Sequence, residues 1–265
     1  MRILVVRKMS ALEYYYNGNH KSPELRGSDK EQAENIRKIE KILEKENQDY
    51  EIVTREELSE NFVSSYDFVF SAGGDGTAIA TAAYNKETPQ LNLKTDKRSK
   101  GTLCQRNIEE AVKAILEGNY KSEKWTRQDI FLNKNFFGRV LNEICIGENL
   151  NFSKMTKYTL EFAVKGKIKK ETQKNSGLVI ITGTGSTAWP FAFKPYSRKS
   201  KIFKFRAIFP YEGKEAGEGD YFRIKYKGHE GKFALDTIEH NLKRDSLLEI
   251  KISRNPLLIV VPSKF

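Results

Sequence analysis

The hydrophobic pattern changes period partway along the chain, and this change limits the possible folds more than any other feature of the sequence. In the first part, short apolar runs alternate with segments whose apolar residues recur at helical spacing. Ile3, Leu4, Val5 and Val6 read as a buried strand, and Ser28 with Glu31 three residues on reads as a capping box. The helix it opens carries Ala33, Ile36, Ile39 and Leu43 on one face. Residues 50–53 read as a second strand and 68–70 as a third. The third runs directly into Gly73, Gly74, Asp75, Gly76 and Thr77, followed by a small-residue helix over 78–84. A short strand at 90–93 and a helix at 108–116, ending at Gly118, complete the region. Strand, helix, strand, loop, helix in this order predicts a parallel sheet wound with helices.

Further on, the period becomes two. Tyr158, Leu160, Phe162 and Val164 alternate with polar residues, as do Phe222, Ile224 and Tyr226, and Leu248, Ile250 and Ile252. The second part therefore reads as mainly antiparallel β, with the seam near residues 95–125. The expected division is an α/β domain over 1–100 with a Rossmann-like parallel sheet and a mainly β domain over 101–265, the last strand being a candidate to return to the first domain.

With 38% hydrophobic and 31% charged residues, the chain is too apolar for a disordered polymer and too charged for a membrane protein. No run approaches the ~20 apolar residues of a bilayer span, and the apolar run at the N-terminus is too short for a signal-peptide core. Cytoplasm is the default expectation. Cys104 and Cys145 have no Cys or His at ligand spacing, and His20, His229 and His240 are scattered, so no metal site and no thiol or imidazole nucleophile is read. The formal charge of +11 points to anionic partners without choosing among them. The basic stretches 94–106, 165–170 and 194–206 read as solvated faces.

Three segments carry chemistry. Glycines around Asp75, between a buried strand and a helix, suit a phosphate cradle: they permit positive φ, present no Cβ, and their N–H groups join the positive helix end. A carboxylate there repels phosphate unless it holds a hydroxyl or a metal, which points to phosphoryl transfer. A tight turn with an Asp cap is the plain structural alternative. No GxxxxGK[ST] loop exists, and no GxGxxG follows the first strand. The second segment is Asn142 and Glu143, an amide and an acid opening an apolar run. The third is SGLVIITGTGSTAW, residues 176–189, a buried strand entering glycines and hydroxyls and ending in Trp189, whose indole could stack on a base.

In order and spacing, GGDGT at 73–77, the Asn142–Glu143 pair and GSTAW at 185–189 resemble the signature elements of the NAD kinase family. LNLKTDKRSKGTLC at 91–104 and LNEICIGE at 141–148 are similar to the mitochondrial type of that family in animals, and the tail over 234–261 is similar to the family's last β segment. The resemblance implies transfer of the ATP γ-phosphoryl group to the 2′-hydroxyl of the adenosine ribose of NAD, giving NADP, with Mg²⁺ accompanying ATP. It implies that Asp75 holds the accepting hydroxyl and serves as general base, while Gly73, Gly74, Gly76 and Thr77 shape the phosphate region. Asn142 and Glu143 would bind the dinucleotide, and Thr184, Ser186, Thr187, Ala188 and Trp189 would line its pocket. A homodimer or higher homo-oligomer is implied, with no nucleic-acid or membrane partner. Trp189 stands where most of the family has Tyr, Thr187 where the mitochondrial type often has Lys, and Thr237 follows Asp236 where Gly is usual; the role of Asp236 stays open. The alternatives are a lipid kinase of the diacylglycerol or sphingosine type, which shares a GGDG loop, and a non-catalytic dinucleotide-binding protein.

Overall fold

The structure is a computed structural model that describes residues 1–10, 12–13, 23–149, 153–189 and 192–263; His20 lies outside the described residues. The chain forms two compact units, residues 1–124 with 257–265, and residues 125–256.

In the first unit, β1 (Arg2–Arg7), β2 (Asp49–Thr54), β3 (Phe68–Gly73), β4 (Gln90–Lys94) and β5 (Tyr120–Trp125) form one sheet with the chain's last strand, Leu257–Pro262. Its order is β2, β1, β3, β4, last strand, β5, and the pairs β1–β2, β1–β3, β3–β4 and β4–last strand are parallel. Ile3 to Val6 read as an unbroken apolar run because the sheet is covered on both faces. Ile3 and Val5 join a core with Ile39 and Leu43 of α1 (Pro23–Lys45), while Leu4 and Val6 pack with Val53, Val63 and Val69. A short α2 (Glu60–Val63), which the apolar period does not reveal, precedes β3. The GGDGT segment ends β3 and opens α3 (Asp75–Tyr84).

Two expectations need correction. Helix α1 begins at Pro23, so Ser28 is not its N-cap; Ser28 and Gln32 are buried on its inner face, and Ala33 is exposed. The inward stripe is polar over its first turns, where Gln32 donates to the Lys8 carbonyl (2.5 Å), and a search for apolar residues starts the helix too late. The boundary at 100 is also too early. Helix α4 (Ile108–Leu116) buries Ile108, Ala111, Val112 and Ile115 in the same core as β1 and β3, which keeps residues 101–124 in the first unit.

The second unit is antiparallel β. Strands β6 (Gln128–Leu132), β7 (Asn135–Val140), β8 (Glu143–Glu148), β9 (Thr156–Val164), β10 (Lys167–Asn175), β11 (Gly177–Ile181), β12 (Phe203–Ile208), β13 (Ala216–Gly219), β14 (Tyr221–Tyr226), β15 (Glu230–Leu235), β16 (Ile238–Lys243) and β17 (Leu247–Ile252) make two six-stranded sheets. One runs β10-β9-β14-β17-β6-β7 and the other β13-β12-β11-β8-β15-β16. Alternate residues of both sheets share one core: Tyr158, Leu160, Phe222 and Ile250 from the first, Ile144, Ile180, Phe205 and Phe233 from the second. In the basic stretch of β12, Phe203 and Phe205 enter that core while Lys204 and Arg206 take the other face. Lys165 (φ 51) and Gly166 (φ 77) form the two-residue turn between β9 and β10, where a tight hairpin matches strand twist with both central residues at positive φ.

Candidate active site

In the first unit the candidate residues lie on the turn from β3 into α3. Gly74 is the N-cap, and its carbonyl accepts the N–H groups of Thr77 and Ala78, each at 3.0 Å. The glycines are not needed here for positive φ, contrary to the sequence reading; none of Gly73, Gly74 and Gly76 adopts it. Two are needed for close packing. A Cβ at Gly73 would lie 2.2 Å from Oγ1 of Thr77, and one at Gly74 2.1 Å from Oγ of Ser99. Gly76 differs, because a Cβ there would meet nothing within 4 Å. It leaves the first turn of α3 bare beside helix N–H groups that have no partner in the helix ladder.

Asp75, the first residue of α3, is half-buried and does not cap its own helix. Its carboxylate accepts the N–H groups of Thr102 (3.0 Å) and Leu103 (2.8 Å), which follow a turn at Gly101 with φ +63. Two amides from a loop 27 and 28 residues away therefore hold the plane of the carboxylate. The Cys104 thiol, 3.9 Å from Oδ1, is pushed up to about 12 by burial and by the charge of Asp75, so it stays a neutral thiol.

The second unit joins the other two motifs. Strand β11 ends at Ile181, and Thr182 then clamps residues 141 and 142. Its N–H donates to the Asn142 carbonyl (2.8 Å), and its hydroxyl donates to the Leu141 carbonyl (2.5 Å) while accepting from Thr184 and Gly185. A Cβ at Gly185 would lie 2.4 Å from the Asn142 carbonyl, so only glycine allows this approach. Asn142 sits one residue before β8, outside the alternation that would turn it away from Glu143.

Asp236, in the turn between β15 and β16 with φ 52, supplies the remaining fastening. Its carboxylate accepts the N–H groups of Leu141 (2.9 Å), Asn142 (2.8 Å) and Glu143 (3.1 Å). Burial raises its pKa to about 6, against the lowering effect of those three bonds. Burial and the neighbouring Asp236 push Glu143 up to about 8, only partly opposed by a hydrogen bond from Trp189. At neutral pH the Glu143 carboxyl is thus mainly protonated and able to donate.

The hydroxyl residues divide in two. Ser186 donates to the Gly183 carbonyl (2.7 Å) and accepts from the Tyr196 N–H (3.1 Å), and Thr187 donates to the Thr184 carbonyl (3.0 Å). These two shape the short 3₁₀ turn Gly185–Thr187. By contrast Oδ1 of Asn142, Oε2 of Glu143 and Oγ1 of Thr184 are buried without a hydrogen-bond partner. Such atoms are costly unless a ligand pairs with them. Ala188 is exposed. Trp189 packs against Val179, Ile181 and Phe193 and borders a cavity of about 310 Å³ lined also by Cys145, Leu178 and Phe233.

Asp236 is the fastening that motif reading leaves without a role, because a lone Asp in a hairpin turn is too common to signal one; the hydroxyl of Thr182, one of those in the third segment, is taken up by the backbone of Leu141, Thr184 and Gly185. Among the described residues, no three His, Cys, Asp or Glu side chains come together as a metal site. Among the same residues, no helix is long and apolar enough to cross a membrane.

The two units have known counterparts. No family model matches the chain. A solved NAD kinase from Archaeoglobus fulgidus, in complex with ATP, superimposes with a TM-score of 0.72 at 19% identity, covering 98% of this chain and 93% of that one. Yeast NADH kinase complexed with NADH gives 0.75 at 14% identity, over 99% and 84%. The fold is therefore that of the NAD kinases. In sequence the chain is 26% identical over 227 residues to NAD kinase 2, mitochondrial, of Xenopus tropicalis, covering 63% of this chain and 53% of that protein. It is 28% identical over 208 residues to human NAD kinase 2, mitochondrial (60% and 46%), and 24% over 160 residues to the NAD kinase of Chloroherpeton thalassium (57% and 54%). The chain spans about half the length of these relatives. In fold the chain matches solved NAD kinases, and in sequence it is similar to NAD kinases, among them the mitochondrial type of animals.

Proposed function

We propose that the chain is an NAD kinase, transferring the γ-phosphoryl group of ATP to the 2′-hydroxyl of the adenosine ribose of NAD. The observation that carries this reading is the set of unpaired buried polar atoms on Asn142, Glu143 and Thr184, beside the Trp189 indole. A dinucleotide offers amide, hydroxyl and ring groups to such a set, whereas the acyl chain of a lipid would leave it unsatisfied. Ser186 and Thr187 spend their hydroxyls on the turn, whereas the buried hydroxyl of Thr184 has no partner and is the one left for a ligand.

In the proposed step the ribose 2′-oxygen attacks the γ-phosphorus in line, the bond to the β–γ bridging oxygen breaks, and ADP departs. Asp75 orients the hydroxyl and accepts its proton as the new bond forms. Its two backbone partners leave the carboxylate with further lone pairs for that task. Gly76 leaves room at the N-terminus of α3 for phosphate oxygens. Mg²⁺ would arrive with the triphosphate and neutralise its charge; a single carboxylate in this turn suits an ion brought by the substrate. The relatives named mitochondrial make that compartment the alternative to the cytoplasm expected from composition.

The test is direct. The purified protein, given ATP, Mg²⁺ and NAD, is expected to form NADP and to leave diacylglycerol and sphingosine unlabelled, with NADH run alongside NAD as acceptor. Labelled lipid without NADP would overturn the assignment. Binding of NAD without turnover, with Asp75 intact, would favour the non-catalytic reading.

A further inference from the structure

The loop after β4 is built around a carboxylate that the proposed reaction does not use. Asp96 is 1% exposed. Lys8, just past β1, donates to it at 2.6 Å, and Arg98 donates from its backbone N–H (2.9 Å), Nε (3.3 Å) and Nη2 (3.1 Å). Burial alone would raise the pKa of Asp96, but the hydrogen bonds from Arg98 and Lys8 outweigh it and hold the carboxyl far below the usual carboxylate range. Helix α1 braces the same clasp, with Gln32 donating to the Lys8 carbonyl (2.5 Å) and Asn35 to the Thr95 carbonyl (3.0 Å).

From this clasp the loop runs to the residue read as catalytic. The Thr95 N–H donates to the Gly73 carbonyl (2.9 Å), and the Ser99 N–H to the Asp96 carbonyl (3.1 Å). Ser99 rests so closely on Gly74 that a Cβ there would lie 2.1 Å from its hydroxyl. Gly101 then turns the chain, and the N–H groups of Thr102 and Leu103 grip the Asp75 carboxylate. Those two amides can hold a carboxylate only as firmly as their own loop is held. A surface loop without an anchor samples many conformations, and a misplacement of about 1 Å in a reacting group can cost about 10²-fold in rate.

We propose that Asp96 is a positioning residue for Asp75: clasped by Lys8 and Arg98, it pins the 95–103 loop whose amides set the orientation of the Asp75 carboxylate. The inference rests on the reading of Asp75 given above. A pair that served stability alone would change unfolding without changing local order at residues 102 and 103 or separating kcat from KM.

The experiment uses Asp96→Asn, Lys8→Met and the double variant of the whole chain. Amide hydrogen exchange is followed across residues 99–104 together with kcat and KM for NAD. Lys8 has a partly exposed side chain, so Lys8→Met keeps the test alive where Asp96→Asn fails to fold. The expected result is faster exchange at Thr102 and Leu103, kcat lower by about 10- to 100-fold, KM for NAD within about twofold, and a double variant no worse than the poorer single one. Unchanged exchange at 102 and 103 in a folded Lys8→Met overturns the proposal. So does a kcat that stays within about twofold while the loop loosens. If the unaltered protein makes no NADP, the reading of Asp75 falls, and the exchange arm alone decides whether the clasp orders the loop.

Discussion

The two units treat their carboxylates in opposite ways. In the first, Asp75 lies half-exposed at a helix start and is met by two amide donors from a loop that is itself tied down by a buried ion-paired carboxylate. In the second, burial raises both Glu143 and Asp236, and the charge of Asp236 pushes Glu143 further, to about 8. In the proposed function the first arrangement orients an acceptor for a proton, while the second favours the protonated form of a carboxyl. Partners and burial, not residue type, decide which chemistry a carboxylate performs.

The strongest way to break this contrast is Asp75→Asn. It retains size but not the proton acceptor, and turnover is expected to fall by ~10²–10⁴-fold with NAD affinity little changed. An amide accepts through one oxygen only, so looser exchange at Thr102 or Leu103 is expected too. Survival of turnover within a few-fold would remove Asp75 from the mechanism.

Trp189→Ala probes the second unit. Stacking on a bound ring contributes about 0.5–1.5 kcal/mol beyond area burial, which raises the NAD dissociation constant by roughly 2- to 13-fold. The same variant should also lower heat stability, because the indole packs on Val179, Ile181 and Phe193. Lower stability at constant affinity would make Trp189 a core residue only.

The raised carboxyl of Glu143 has a pH signature of known sign. Its folded pKa, about 8, exceeds its ordinary 4.5, so the folded state binds the proton more tightly. The stability that this proton brings is complete below about pH 4.5 and is lost as pH rises through 8. Melting curves should show the second unit weakening across that window, and Glu143→Gln should flatten the trend. An equal slope in both proteins would mean that other groups set the dependence.

The smallest effect separates the glycines of the first unit. Gly76→Ala has room for its methyl and should leave stability unchanged or higher by up to about 0.5–1 kcal/mol, from helix propensity alone. Gly73→Ala must displace Thr77 and should destabilise. Weaker ATP binding in the stable Gly76→Ala variant, measured by titration calorimetry, would mark that bare turn as phosphate-facing; unaltered binding would move the phosphates elsewhere.

Much of the architecture was legible because it follows from hydrophobic period. The continuous run of Ile3 to Val6 marks a strand covered on both faces, and the alternation over 158–164 marks one face of a sandwich. The start of α1 was not legible, since Ser28 and Gln32 give its inner face polar residues where the pattern asks for apolar ones. The GGDGT, Asn142–Glu143 and GTGSTAW segments stood out by composition, but the reason for their glycines did not. Positive φ was the natural expectation, whereas close contact with Thr77, Ser99 and Asn142 is what the fold demands.

The sequence by itself determined the local and periodic part of this protein: which segments are strands or helices, and where glycines gather around a lone Asp. Only the tertiary structure decided what that Asp touches. It also decided that Asp236, 93 to 95 residues distant, fastens the backbone of 141–143, and that Asp96, 88 residues from Lys8, anchors the loop on Asp75. The physical reason is range. Backbone propensity and side-chain period act over a few neighbouring residues and leave a trace in the chain. A charge buried against a partner some 90 residues away leaves none, because a single Asp reads the same in a solvated turn as in the clasp that orders an active site.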